Sequence, residues 1–153
     1  TALTNKLVRE ALENEVVKEF GRLDTIVQEV KTSAHSRLDF LLERGGTRIY
    51  MEVKNCSLAE SRAAMFPDAV TARGTKHLHE LAALKKQGHK AAVFFCVQRQ
   101  DADYFMPAHH IDPVYAETLV NVASEGVMVL AYQANVSPRG IAIAKKMPVK
   151  LAA

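Results

Sequence analysis

The chain has 153 residues, of which 48% are hydrophobic and 24% charged, and its formal net charge is +3. These values are ordinary for one globular domain with a core of its own, and the weak positive charge permits nucleic-acid binding without arguing for it. Two cysteines exclude a disulfide framework, so we expect a reduced, cytoplasmic location. No apolar run approaches the roughly 18 residues of a membrane helix, so no membrane partner is expected.

The first predicted element is a helix with Thr4 as its N-cap, because apolar residues recur at helical spacing after it and Gly21 ends the segment. A strand of mixed polarity follows at Thr25–Lys31, and its polarity is typical of a position at or near a sheet edge. Thr32–Ser36 is then expected to be a loop.

The next stretch predicts a hairpin whose turn is Gly45-Gly46, since two-residue turns need positive φ. Closing the turn there places Asp39 opposite Glu52 and Arg37 opposite Lys54. Side chains alternate between faces along a strand, so one face is predicted to be apolar. That face carries Leu38, Phe40, Leu42, Ile49, Met51 and Val53.

The second half of the chain alternates helical and strand patterns. The predicted elements are an irregular stretch over Asn55–Thr75, a helix capped by Gly74 or Thr75 and ending at Gly88, a strand at Ala91–Val97, a loop over Asp103–Ile111, a helix from Asp112-Pro113 to Gly126, and strands at Val127–Tyr132 and Ile141–Ala144. The strand at Ala91–Val97 is apolar on both faces, which indicates a central position between helices. We therefore predict a three-layer α-β-α fold with a mixed sheet, in the α/β class.

Asp39 and, thirteen positions later, Glu52-Val53-Lys54 match the core of the PD-(D/E)xK nuclease pattern. Two carboxylates held side by side repel each other, and a divalent cation with oxygen ligands relieves that repulsion. We expect Asp39 and Glu52 to bind Mg²⁺ or Mn²⁺ and Lys54 to hold the attacking water or offset transition-state charge. The alternative is a surface ion-pair ladder that does no chemistry. Pro67-Asp68 follows the pattern rather than preceding it, so it is not the first element of the motif.

Arg73, Lys76 and His77 lie at the predicted start of the second long helix. Basic side chains at a helix N-terminus favour a phosphate, although from the residues alone a solvated helix face is the simpler interpretation.

Several blocks of the sequence resemble the C-terminal domain of the sugar fermentation stimulation protein A family. The resemblance spans essentially the whole chain and rests on residues 4–12, 36–40, 50–55, 66–78, 111–112 and 129–132. It implies a restriction-endonuclease-like PD-(D/E)xK domain over 1–153, preceded in the family by a small OB-fold domain. That preceding domain is absent here, which fits the start at Thr1 if the chain is a fragment.

The resemblance also implies DNA binding and a link to the regulation of sugar metabolism, notably of maltose, with nuclease activity suggested by the fold. In the family pattern Glu10 joins Asp39, Glu52 and Lys54 as a further metal ligand. The signature block is matched by Asp68, Arg73, Lys76 and His77, which favours the last three as nucleic-acid contacts. Ala72 departs from the pattern, where a Glu is expected.

Three hypotheses follow from the sequence. The first is a cytoplasmic DNA-binding protein with a metal-dependent nuclease site. The second is a transcriptional regulator that binds nucleic acid through phosphate contacts without cleaving it. The third is a structural domain without chemistry, and a homodimer is a candidate assembly for any of them.

Overall fold

The computed structural model describes residues 2–153 and shows an α/β fold with a mixed sheet between helices. The helices are α1 (Ala2–Glu13), α2 (Ala72–Lys86) and α3 (Pro113–Ser124). The strands are β1 (Thr25–Ser33), β2 (Ser36–Arg44), β3 (Thr47–Cys56), β4 (Leu58–Glu60), β5 (Ala63–Phe66), β6 (Lys90–Val97), β7 (Tyr104–Pro107), β8 (Met128–Ser137) and β9 (Gly140–Lys146). None of these helices is long and apolar enough to cross a membrane.

Six strands form the main sheet in the order β1-β2-β3-β6-β8-β9. Strands β3, β6 and β8 are parallel, and antiparallel hairpins flank them on both sides. The predicted strand Ala91–Val97 lies at the centre as part of β6, where all seven residues are buried. The predicted edge position of β1 is confirmed. A continuous apolar strand is what two covered faces require.

The two faces of the main sheet bury separate hydrophobic clusters. One cluster packs α1 against the sheet, with Leu7, Val8 and Leu12 among its members, and the other packs α2 and α3. This gives the three layers predicted from the order of elements.

Two helix starts differ from the prediction. Thr4 is buried inside α1 rather than capping it, and α1 ends at Glu13, well before Gly21. Helix α2 begins earlier than predicted, because Thr71 is its N-cap and accepts a hydrogen bond from the backbone N–H of Gly74. A Cβ at Gly74 would lie 2.8 Å from Thr71 and 3.1 Å from the Tyr115 ring. Gly74 therefore permits close packing against Thr71 and Tyr115 and does not mark the start of the helix.

The segments expected to be irregular contain a second sheet. This three-stranded sheet has the strand order β4-β5-β7 and was not predicted. The strands have only three or four residues, which is too short for a period of two to stand out in the sequence.

The hairpin turn is as predicted. Gly45 and Gly46 both have positive φ, 55° and 82°, and the predicted register is observed from Arg44↔Thr47 to Phe40↔Met51. The predicted apolar face is confirmed except for Leu38, which belongs to the cluster on the opposite face. Glu29 of β1 lies between the partners of Phe40 and Leu38, and its φ is 56°. The extended geometry of β1, and with it the regular alternation of side chains between the two faces, is therefore interrupted next to Leu38.

Candidate functional site

The two motif strands diverge at the predicted acidic pair. Their ladder ends at Phe40↔Met51, beyond which β2 pairs only with β1 and β3 only with β6. The predicted pairing of Arg37 with Lys54 is therefore wrong, since these residues pair instead with Lys31 and Phe95. The divergence leaves backbone groups that side chains must satisfy.

Asp39 and Glu52 bridge the diverging strands through their carboxylates. The Val53 N–H donates to Asp39 Oδ2 at 2.8 Å, and the Asp39 N–H donates to Glu52 Oε1 at 3.2 Å. The second Asp39 oxygen accepts from Asn5 Nδ2 of α1 at 3.0 Å. The two acids that the register places opposite each other thus lie together, held by backbone and side-chain donors.

Glu52 is also the centre of a buried cluster with Lys54 and His77. Its Oε2 lies 2.6 Å from His77 Nδ1 and 3.2 Å from Lys54 Nζ, and Glu52 and His77 are each 5% exposed. Lys54 Nζ and His77 Nδ1 are themselves 3.2 Å apart. An ammonium group only donates and an ionised carboxylate only accepts, so Nδ1 must carry a proton that it donates to Glu52. Lys54 and His77 therefore share one acceptor.

The pKa values of the two carboxyl groups are shifted in opposite directions. Burial, together with the hydrogen bond and negative charge of Glu52, raises the pKa of Asp39 to about 6. Burial also disfavours ionisation of Glu52, but the hydrogen bonds of His77 and Asp39 and the charge of Lys54 outweigh it and lower the pKa of Glu52 to about 2. One charge of the pair is thus compensated within the protein, whereas the other is not.

Glu10, predicted as a further metal ligand, is not brought to this pair. Asn5 contacts Asp39 from one side of α1, and Glu10 lies five residues further, about 140° around the helix axis. Its side chain has no ion pair or hydrogen bond within residues 2–153. Across that same part of the chain, no three His, Cys, Asp or Glu side chains converge as metal ligands. A cation here would have two carboxylates from the protein.

The signature-block residues separate into two environments. Arg73 and Lys76 are exposed on the first turns of α2, as expected for phosphate contacts, and Asp68 is exposed in the loop before it. His77 was predicted as a third contact of this kind, but its ring is buried against Glu52. Successive side chains of a helix point about 100° apart, so Lys76 faces solvent while the neighbouring His77 faces the protein interior.

Sequence reasoning missed two polar contacts of α1 with the site strands. Asn5 donates to Asp39, and Thr4 Oγ1 donates to Asn55 Oδ1 at 3.2 Å, beside the end of the motif. The available signal was Thr4 itself, because it falls within the apolar stripe of the helix and a buried hydroxyl needs a partner.

The donor set fits a hard divalent cation. Asp39 and Glu52 offer oxygen ligands, which such ions prefer, and a cation would favour the ionised form of Asp39, which burial and the neighbouring Glu52 disfavour. Asp39 and Glu52 would hold the ion. In that case the ion would neutralise the second charge of the pair as His77 and Lys54 offset the first.

Comparison with known proteins gives a consistent result. The family model described as "Sugar fermentation stimulation protein RE domain" matches residues 2–140. The sugar fermentation stimulation protein homologs of Desulfotalea psychrophila and Geotalea uraniireducens are 52% and 48% identical over 94% and 99% of the chain. The chain spans 61% and 65% of the length of those two relatives.

A solved structure shares the fold. The SfsA protein of Pyrococcus furiosus, determined in complex with Ca²⁺, superposes with a TM-score of 0.90 at 29% identity. The match covers 97% of this chain and 64% of that protein. With a family model matched over most of its residues, relatives near half identical and this shared fold, the chain belongs to the sugar fermentation stimulation protein A family.

Proposed function

We propose that this chain is a DNA-binding domain with a divalent-metal site that hydrolyses phosphodiester bonds. The observation that carries the proposal is the Asp39–Glu52 pair, which is held where the β2–β3 ladder ends and is joined by Lys54. The Pyrococcus furiosus relative was determined in complex with Ca²⁺, which supports a divalent ion as the metal of this chain. We propose Mg²⁺ or Mn²⁺ as the working ion, in a cytoplasmic protein linked to sugar metabolism.

Each residue has a separate task in this proposal. A bound cation would supply polarisation of the phosphate and a water of lowered pKa. Asn5 and the Val53 N–H orient the two oxygens of Asp39, and His77 fixes Glu52 Oε2. Lys54 presents an ammonium group beside the carboxylates, where it offsets the negative charge that develops on a reacting phosphate.

The test is a cleavage screen on single- and double-stranded DNA and on RNA, with Mg²⁺, Mn²⁺ or EDTA present. We expect metal-dependent cleavage that Asp39→Ala and Lys54→Ala abolish, with Lys18→Ala, an exposed position outside the site, as the matched control. Cleavage that persists in EDTA, or in Asp39→Ala, would remove the metal-dependent mechanism. A Lys54→Ala protein as active as the wild type would remove the role given to Lys54.

A second candidate is a regulator that binds DNA without cleaving it. It is favoured by the absence of a third ligand beside Asp39 and Glu52 within the described residues, and Ala72 adds no carboxylate where the family pattern expects one. DNA binding that survives in EDTA and falls steeply with salt, together with no cleavage under any metal, is the result that would favour it.

A further inference from the structure

We propose that the turn between β1 and β2 forms, with the first turns of α2, a groove that binds the phosphodiester backbone of DNA and leads to the carboxylate pair. This inference rests on the proposed function as a DNA-binding domain. It adds three residues of the turn region, Lys31, His35 and Arg37, that no sequence pattern singled out as contacts.

The groove consists of two adjoining surface clefts of about 380 and 300 Å³. Both are lined by His35, Ser36, Arg37 and Arg73. Lys76 lines the first and Lys31 the second. Among the residues that the structure describes, no Asp or Glu lines either cleft. Two walls of basic side chains therefore face one concave surface.

The cations of this groove lie together without a paired counter-charge among the described residues, whereas two exposed arginines elsewhere on the surface are paired with neighbouring aspartates. Arg62 pairs with Asp103 at 2.6 Å and Arg99 pairs with Asp101 at 2.7 Å. By contrast, Lys31, Arg37, Arg73 and Lys76 have no ion-pair partner within residues 2–153. Like charges gathered without counter-charges repel each other, and a polyanion that follows the groove relieves that repulsion.

The position of the turn relative to the helix is fixed by Glu80 of α2. Thr32 Oγ1 donates to one carboxylate oxygen of Glu80 at 3.3 Å, and Ser36 Oγ donates to the other. Glu80 lies on the same helix as Arg73 and Lys76, so it holds the two basic walls at one spacing. A carboxylate beside a DNA groove disfavours DNA electrostatically, which makes its role one of positioning.

The groove reaches the candidate metal site through His77. His77 is among the residues that line the larger cleft, and its Nδ1 lies 2.6 Å from Glu52 Oε2. A DNA strand that lies along the basic walls therefore passes beside the carboxylates. The partner that fits this arrangement is a continuous phosphodiester chain, since five basic side chains along one groove match repeated phosphates.

The first experiment measures binding of a fluorescent duplex DNA by anisotropy in EDTA over a series of salt concentrations. For the double variant Lys31→Gln/Arg37→Gln we expect the slope of log K against log salt to fall by about 2, one unit for each phosphate contact. The matched control is Lys18→Gln/Lys86→Gln, which removes the same charge from exposed positions outside the groove. Equal slopes for wild type and groove variant, or equal losses in both variants, would overturn the proposal.

The second experiment uses Glu80. General electrostatics predicts that Glu80→Ala binds DNA more tightly, because a negative charge is removed. We expect severalfold weaker binding instead, since the turn is released from α2, and we expect Glu80→Gln to restore binding because its amide can bond both hydroxyl groups. Thermal unfolding identifies any variant that is not folded at the assay temperature. Tighter binding by Glu80→Ala would overturn the positioning role.

These results are separable from those on cleavage, because the binding assay contains no metal. Weaker binding by the groove variants without any cleavage by the wild type would support the groove and contradict catalysis. Cleavage by the wild type with normal binding by the groove variants would do the reverse. Tighter binding of an RNA duplex than of a DNA duplex of the same sequence would overturn the choice of DNA.

Discussion

Replacing Asp39 by Asn should make the metal-free protein more stable and at the same time insensitive to divalent metal. Asn has nearly the same shape, and its oxygen can still accept from the Val53 N–H. What it removes is the negative charge beside Glu52. If the pair exists to hold a cation, the protein without that cation carries an electrostatic cost that the substitution relieves.

The magnitude follows from the pKa of Asp39, which is raised from 3.8 to about 6. The folded protein binds this proton more tightly than the unfolded chain, so the contribution to stability is fully present below about pH 4 and is lost as the pH rises through about 6. Two pKa units correspond to almost 3 kcal/mol, and solvent screening of this half-buried side chain reduces the value to about 1–2 kcal/mol.

The assay is thermal unfolding in EDTA at pH 7.5 and pH 5, and again at pH 7.5 with Ca²⁺. At pH 7.5 in EDTA we expect Asp39→Asn to melt about 3–6 °C above the wild type, and at pH 5 we expect that advantage to shrink. With Ca²⁺ at 100 times its dissociation constant, the wild type gains about 2.7 kcal/mol and the variant does not. The order of the two melting temperatures then reverses.

Two results would refute this reasoning. A variant less stable than the wild type in EDTA at pH 7.5 would show that Asp39 contributes more through its hydrogen bonds than it costs through repulsion. A variant that retains the full shift with Ca²⁺ would show that the cation binds elsewhere. Asp24→Asn is a suitable control, because that exposed carboxylate accepts from the Gly45 N–H at the hairpin turn and an Asn oxygen can keep that bond.

Three further predictions concern the support of the site. His77→Asn, whose amide nitrogen replaces Nδ1, should keep Ca²⁺ affinity close to that of the wild type by calorimetry, whereas His77→Ala should weaken it about tenfold or more; equal affinities in the two variants would contradict the contact. Gly74→Ala should destabilise the protein by about 1–3 kcal/mol in urea unfolding despite the better helix propensity of Ala, because the new Cβ meets Thr71 and Tyr115; a stability gain would show that these neighbours yield. Asp112→Ala should cost at least about 2 kcal/mol in the same assay, since the carboxylate caps α3 and accepts from the Thr71 N–H; a loss below 0.5 kcal/mol would argue against both bonds.

The main sheet could be predicted because its strands have strong local signals. Gly45-Gly46 favours one turn type, and that turn sets the register that brings Asp39 towards Glu52. The apolar run at Ala91–Val97 likewise predicts a central strand, because only a strand that is covered on both faces is apolar throughout. The short strands β4, β5 and β7 could not be predicted, because three or four residues carry no reliable period.

The predicted helix starts were wrong where a residue that usually marks a helix terminus makes a tertiary contact instead. Thr4 has the chemistry of an N-cap, yet it bonds Asn55 from inside α1. Gly74 was predicted to cap the start of a helix, yet it lies within α2, where its missing side chain leaves room for the ring of Tyr115. In both cases the side chain, or its absence, serves a neighbour that is distant in the sequence.

The sequence by itself determined that an acidic pair and a lysine lie on one hairpin, because the turn glycines and the alternation of strand faces are local properties. Only the tertiary structure decided what surrounds them. It places Asn5 rather than Glu10 beside Asp39, buries His77 against Glu52, and brings the β1–β2 turn to α2 through Glu80. Those contacts join residues more than twenty positions apart in the sequence, so they depend on how helices pack on the sheet, which no local pattern encodes.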